Sequence, residues 1–179
     1  MTTIILSLIL MAGLFLMLWA EVGFIQEKRF ASSAPKEELA VIPESMPQRF
    51  RGQHAVGYAM ALLSVVLMGG AVVYGAWDGV RSGFTFGQFF VRFLVMILLL
   101  KAFDIGFFDW VLLCNQGFNF FPHYYPMVRD VLRPHLFGYN WKTHLSHIIA
   151  SFPLSALLAW FCTLFWRTEL PPTNALLRR

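Results

Sequence analysis

Four long apolar segments, separated by polar connections, constrain the fold of this chain more than any other feature. They cover residues 3–25, 54–77, 86–114 and 144–166, and each is long enough to cross a hydrocarbon core, which takes about 20 helical residues. Backbone polar groups must be paired inside lipid, which favours helices. The sequence therefore predicts an all-α polytopic membrane protein, a single domain over residues 1–179 with a bundle of about four transmembrane helices.

The charged residues are few and clustered. Hydrophobic residues make up 58% of the chain and charged residues 13%, against about 25% charged residues in a soluble domain. The net charge of +4 comes mostly from Lys and Arg beside the apolar segments, as is typical of membrane flanks. No basic stripe or nucleic-acid-binding motif is present. We expect the lipid bilayer as a partner and no nucleic acid.

Two apolar segments carry further signals. No Lys or Arg precedes the first segment, and it is long for the apolar part of a signal peptide, so we interpret it as a transmembrane helix.

The second segment contains small residues at four-residue spacing, Ala55 with Ala59 and Gly57 with Ala61. Such spacing lets helix backbones approach closely in a membrane, which predicts a central position for this helix.

The connection over residues 115–143 is rich in aromatic residues and prolines. It is too polar to span, and it predicts an interfacial segment with a short helix near residues 127–132. His123, Tyr124 and Tyr125 are candidates for a lid over a site at this side of the bundle. The alternative is that these side chains form only an interfacial aromatic belt.

The distribution of basic residues predicts the orientation, because cytoplasmic loops carry an excess of Lys and Arg. The first and third connections carry eight basic residues and the other side carries four, which favours both connections in the cytoplasm and both termini outside. A bacterial inner membrane is expected because the chain is compact and shows no recognised sorting signal. The eight are Lys28, Arg29, Lys36, Arg49, Arg51, Arg129, Arg133 and Lys142, and the four are Arg81, Arg167, Arg178 and Arg179.

The two cysteines are predicted to lie near opposite faces of the membrane. Cys114 ends the third apolar segment and Cys162 lies late in the fourth. Bridged Cα atoms lie within about 7 Å of each other, so no intramolecular disulfide is expected.

The third apolar segment contains ionisable residues, among them Lys101, Asp104 and Asp109. Lys101 and Asp104 are three residues apart and share a helical face. Charges within a membrane normally face the bundle interior, pair with one another and mark functional sites. The three residues predict an intramembrane polar site; the alternative is an ion pair that only sets helix register.

Carboxylates and imidazoles from four helices are predicted to gather at one side of the membrane. Such side chains could bind a divalent metal ion, as in di-metal helical bundles, although no Glu-x-x-His pair is present. Interfacial hydration of these residues is the simpler alternative. The candidate ligands are Glu21, His54, Asp109, His144 and His147.

Three functions fit these patterns. The first is a small binding or transport module with a polar intramembrane site, which would need several copies to form a pathway, so a homo-oligomer is expected. The second is a membrane-embedded enzyme, metal-dependent or acid–base, that acts on a lipid-like substrate at the cytoplasmic interface. The third is an accessory subunit of a larger membrane complex. No nucleophile elbow, phosphate loop or dinucleotide fingerprint is present.

Overall fold

The computed structural model describes residues 1–31, 34–113, 120–131 and 141–169, and within these residues the regular structure is helical apart from one isolated bridge between Glu27 and Ser45. Four long helices form the bundle, and two of them continue as π-helical segments. The helices are α1 Thr2–Trp19 with the first π segment Ala20–Ile25, α2 Lys36–Val41, α3 Gln53–Arg81, α4 Phe86–Phe103 with the second π segment Asp104–Leu113, α5 Phe120–Tyr124 and α6 Trp141–Glu169, and two 3₁₀ turns cover Lys28–Ala31 and Pro126–Val128.

Among the described residues, three helices are long and apolar enough to cross a membrane. They are Thr2–Ile25, Gln53–Arg81 and Trp141–Leu164, with mean hydropathies of 2.4, 2.1 and 1.6. An all-helical fold with helices of transmembrane length is thus confirmed, whereas the predicted number of four spans is not. The helix formed by α4 and the second π segment, which matches the third predicted segment, is not among the three.

The helix ends differ from the predicted ends by up to four residues. Helix α3 continues past the predicted end at Trp77 to Arg81, and α6 covers Trp141–Glu169 instead of residues 144–166. The start of α4 has a local cause: the Thr85 hydroxyl accepts a hydrogen bond from the Gln88 backbone amide, and the Gln88 side chain accepts one from the Thr85 amide at 2.8 Å. This capping box pairs amides that a helix start leaves unpaired.

Helix α1 lies between α3 and α4, and α4 also packs along α6. At the α1–α3 contact the Ser64 hydroxyl donates to the Gly13 carbonyl at 2.7 Å. Near the N-terminal end of α4, Phe89 and Phe93 are buried with Ala159 and Cys162 of α6. Because the start of α4 meets the late part of α6, these two helices are antiparallel.

The first and third connections pack on each other and form a cap, defined here as residues 34–50 and 120–131. Its buried core comprises Ala34, Ile42, Phe121, Tyr125 and Val128, which pack with Val22 of the first π segment. The two connections therefore lie on the same side of the bundle, as their order in the chain requires. The predicted interfacial loop is described only in part: residues 114–119 and 132–140 lie outside the described residues.

The helical turns in the cap differ from the one predicted near residues 127–132. The structure has α5 over Phe120–Tyr124 and a 3₁₀ turn over Pro126–Val128, and residues 132–140 are not described. Of the two cysteines, Cys162 is buried and has no disulfide partner among the described residues, and Cys114 lies outside those residues.

Candidate functional site

The carboxylates singled out in the sequence lie in the two π segments. Glu21 is in the first, and Asp104 and Asp109 are in the second. In the first segment the Gln26 amide donates to the Glu21 carbonyl at 2.8 Å, a bond five residues back along the chain. The wider π turn rotates the following side chains away from their α-helical positions, and π turns inside helices are frequent at functional sites.

Lys101 and Asp104 form an ion pair at the junction of α4 and the second π segment. The Lys101 Nζ and Asp104 Oδ2 atoms are 2.5 Å apart, and both side chains are mostly buried. Lysine carries three N–H donors, and within the described residues Lys101 donates only to Asp104. The pair therefore carries no net charge, and as far as the described residues go, the ammonium group retains N–H donors for a further acceptor.

Asp109 joins the second π segment to α6 through His144. The Asp109 Oδ2 and His144 Nε2 atoms are 2.6 Å apart, and both side chains are nearly buried. Asp104 and Lys101 lie close enough to Asp109 to interact with it electrostatically. Lys101, Asp104, Asp109 and His144 thus form one group, called here the polar cluster, in which each basic side chain faces a carboxylate.

A crevice of about 380 Å³ lies beside the polar cluster, between α1, α4 and α6. Lys101, Asp104, His147 and Ser151 line its polar part. The remaining wall is apolar, with Leu14 from α1, Ile97, Leu98 and Leu100 from α4, and Ile148, Ala150 and Leu154 from α6. Its volume is within the range of about 300–1,000 Å³ typical of small-molecule sites.

The five predicted metal ligands do not come together as one set. Asp109 contacts His144, whereas His147, one turn further along α6, is exposed and lines the crevice. Within the described part of the chain, no three His, Cys, Asp or Glu side chains are placed to hold a metal ion. Binding of a divalent metal ion therefore stays a prediction from the sequence.

The remaining two predicted ligands lie in other surroundings. Glu21 is close enough to Tyr125 of the cap to interact electrostatically with it. The Nε2 atom of His54, at the start of α3, is buried and has no hydrogen-bond partner among the described residues.

The three lid candidates belong to the cap, and one of them contacts the end of α1 directly. The Tyr124 hydroxyl accepts a hydrogen bond from the Trp19 indole at 3.0 Å, and His123 is exposed. Tyr125 is buried in the cap core; burial raises the pKa of its phenol to about 12, and the nearby Glu21 carboxylate adds to this increase. These contacts attach the cap to the bundle, and a role as a lid stays a prediction.

A polar network at the end of the first π segment was missed by sequence reasoning. The fully buried Gln53 side chain donates to the Phe24 carbonyl at 2.8 Å and to the Gln26 side chain at 2.9 Å, and accepts from the Arg49 amide at 2.8 Å. Arg49 also donates to the Gly23 carbonyl. These side chains pair carbonyls that a helix end leaves free, and so fix the cap to α1 and α3.

A second missed contact is a buried ion pair far from the polar cluster, between α3 and α4. Arg92 Nη1 lies 2.8 Å from Asp78 Oδ2 and donates to the Gly75 carbonyl at 2.7 Å. The guanidinium also lies 4.2 Å from the centre of the Phe84 ring. Arg92 lies within the third apolar segment, whereas Asp78 falls in the connection before it, because the second apolar segment ends at Trp77.

No protein-family model, curated protein sequence or solved structure matches this chain. The chain is therefore described by its own features: an all-helical protein with three helices that could cross a membrane and a group of paired ionisable residues between two of its long helices.

Proposed function

We propose that the chain crosses the membrane four times, with α4 and the second π segment as the additional span. Helix α4 alone has 18 residues, which corresponds to about 27 Å at 1.5 Å per residue, close to the thickness of a hydrocarbon core of about 30 Å. Its charged side chains Arg92 and Lys101 are each paired with a carboxylate. Pairing reduces the cost of placing charge within a membrane.

The proposed orientation places the cap in the cytoplasm of a bacterial cell and both termini outside. It is supported by the excess of Lys and Arg in the first and third connections. Lys36 and Lys142 are both exposed, so a membrane-impermeant amine reagent should leave both unlabelled in intact cells and label both in inside-out membrane vesicles. Labelling of Lys36 and Lys142 from opposite sides would overturn the topology.

We propose further that the polar cluster and its crevice form a binding site for a small molecule that partitions into the membrane. The observation that carries this proposal is the pairing of four ionisable side chains from two helices beside a crevice with a predominantly apolar wall. Intramembrane ionisable residues commonly mark substrate sites. An apolar pocket with a few convergent polar groups is the usual form of a ligand site.

Binding is favoured over transport through one copy of the chain. Between the polar cluster and the Arg92–Asp78 pair, the described core is mostly apolar, with Leu10, Phe93 and Met96 buried there. Its buried polar side chains are serines, among them Ser64, Ser151 and Ser155, and the described part of the bundle holds no continuous row of ionisable groups between the two sites. A transport function would therefore use a path between copies.

The test compares the polar cluster with the second ion pair as a matched control. Delipidated protein in a mild detergent is mixed with an organic extract of the expressing membranes, and the melting temperature is measured. A ligand at 100 times its Kd adds about 2.7 kcal/mol, which corresponds to about 5–10 °C for a protein of this size. The wild-type protein and the Arg92→Met/Asp78→Asn variant should show the increase, and Lys101→Met/Asp104→Asn should not.

Two results contradict the proposal. One is an extract that raises the melting temperature of all three proteins equally, because the stabilisation would then not depend on the polar cluster. The other is an extract that stabilises none of them while all three remain folded by circular dichroism.

A further inference from the structure

The arrangement of the crevice along the helices indicates how a ligand would lie in it. His147 follows the start of α6 at Trp141 by six residues, or about 9 Å, and Leu154 lies about 20 Å from that start. The polar part of the crevice is therefore near the cap side, and its apolar wall continues toward the middle of the bundle. A molecule with one polar end and one apolar chain fits a crevice that is polar near the cap and apolar toward the middle of the bundle.

The charges at the polar part select the type of head group. Lys101 faces Asp104 and His144 faces Asp109, so the lysine of the crevice already has a carboxylate partner, and the remaining basic side chain in its lining is the imidazole of His147. A carboxylate or phosphate head group would add a negative charge that no unpaired Lys or Arg in the described lining balances, and unbalanced charge inside a membrane is costly. A neutral head group avoids this cost.

The donors at the polar part match a neutral oxygen acceptor. Lys101 keeps N–H groups that are not used within the described residues, and the exposed His147 side chain lies on the same crevice. A carbonyl or hydroxyl oxygen accepts hydrogen bonds from either group.

From this geometry, and resting on the proposed binding function, we propose that the ligand is a long-chain amphiphile with a small neutral oxygen-bearing head group. Its head lies at Lys101 and His147, and its chain lies along Ile97, Leu98 and Leu154. Phospholipids and fatty-acid anions are disfavoured by their charge.

Photolabelling tests this proposal with two probes that differ only in the head group, 1-hexadecanol and hexadecanoate, each with a diazirine near the middle of the chain. Purified full-length protein in nanodiscs is irradiated with each probe, and labelled peptides are identified by mass spectrometry. The alcohol should label α4 and α6 near Ile97 and Leu154, and an excess of unlabelled 1-hexadecanol should compete. Hexadecanoate should give only background labelling of these helices, which an excess of unlabelled competitor does not reduce.

Two substitutions on α6 serve as the variant that blocks the crevice and as its control. Leu154 and Leu157 are 48% and 49% exposed, but only Leu154 lines the crevice. Leu154→Trp should abolish the competed labelling by filling the apolar part, and Leu157→Trp should retain it. Lys101→Met should weaken the apparent affinity for the alcohol by about tenfold, because a hydrogen bond from a charged donor is lost.

The outcomes separate this inference from the proposed function. Competed labelling by hexadecanoate that Leu154→Trp blocks would overturn the neutral head group and leave the binding site in place. Labelling that neither competitor nor Leu154→Trp reduces would show only the surrounding lipid and overturn the inference. In that case, the melting-temperature comparison with the membrane extract decides whether the site binds a different molecule.

Discussion

Replacing Arg92 with methionine is expected to destabilise the protein by about 3 kcal/mol. Arg92 is 6% exposed and pairs with Asp78, which is 26% exposed. Removing one partner of a buried pair costs about 3–5 kcal/mol, because the other charge is left without compensation. Asp78 is partly exposed, so the loss of stability should lie near the lower end of this range.

The double variant Arg92→Met/Asp78→Asn should recover about half of this loss. With both charges gone, no buried charge lacks a partner, and replacing a whole buried pair is often close to neutral. The remaining cost comes from the lost contact of the guanidinium with the Phe84 ring, 4.2 Å away, and from its lost hydrogen bond to the Gly75 carbonyl, together about 1.5 kcal/mol. The double variant should thus be about 1.5 kcal/mol more stable than Arg92→Met alone.

Reversible unfolding in mixed micelles gives the free energies of wild-type protein, Arg92→Met, Asp78→Asn and the double variant. These four values form a double-mutant cycle, which isolates the coupling of the two side chains. A cost of Arg92→Met below about 0.5 kcal/mol, or a double variant no more stable than Arg92→Met, would show that the ion pair does not stabilise the contact of α3 with α4.

Three further results are expected from the same unfolding measurements. Gly57→Ala should cost about 1–3 kcal/mol, because a Cβ would lie 2.7 Å from Ile25 Cγ1 and 3.1 Å from its backbone nitrogen, whereas the control Gly69→Ala meets nothing within 4 Å and should be neutral or slightly stabilising; equal effects would contradict the close contact of α3 with the first π segment. Burial raises the pKa of Glu38 to about 7, with the neighbouring Glu37 adding to the increase. The folded state therefore holds this proton more tightly than the unfolded state, so the Glu38 contribution to stability should fall as the pH rises from about 4.5 to 7, and Glu38→Gln should flatten that dependence. Gln53→Leu should cost about 2–4 kcal/mol by leaving several buried partners unpaired, and a loss below about 0.5 kcal/mol would show that the network contributes little.

The sequence predicts the helical fold and the approximate positions of the helices, but not all of their ends. Long apolar segments predict helices of membrane-spanning length, and three such helices are found. The same hydropathy pattern placed the end of α3 too early, because Asp78 looks like a loop residue until its partner is known. Only the packing of α3 on α4 shows that Arg92 stabilises a charge in the last turn of α3.

The contacts of the candidate site, too, can be predicted from the sequence only in part. The contact of Lys101 with Asp104 can be inferred from a spacing of three residues on one helix. The contact of Asp109 with His144 joins residues far apart in the chain, and no local pattern indicates which of the two α6 histidines faces the carboxylate. His144 is buried against Asp109, while His147 lies on the crevice.

Residue order alone determined that this chain forms apolar helices and that a few ionisable side chains lie within them, because hydropathy and helical spacing are local properties. The tertiary structure decided which charges pair between helices, where the α-helices widen into π segments, and how the cap attaches to α1. These features depend on contacts between segments that are distant in sequence, and their energies exist only once the helices are packed together.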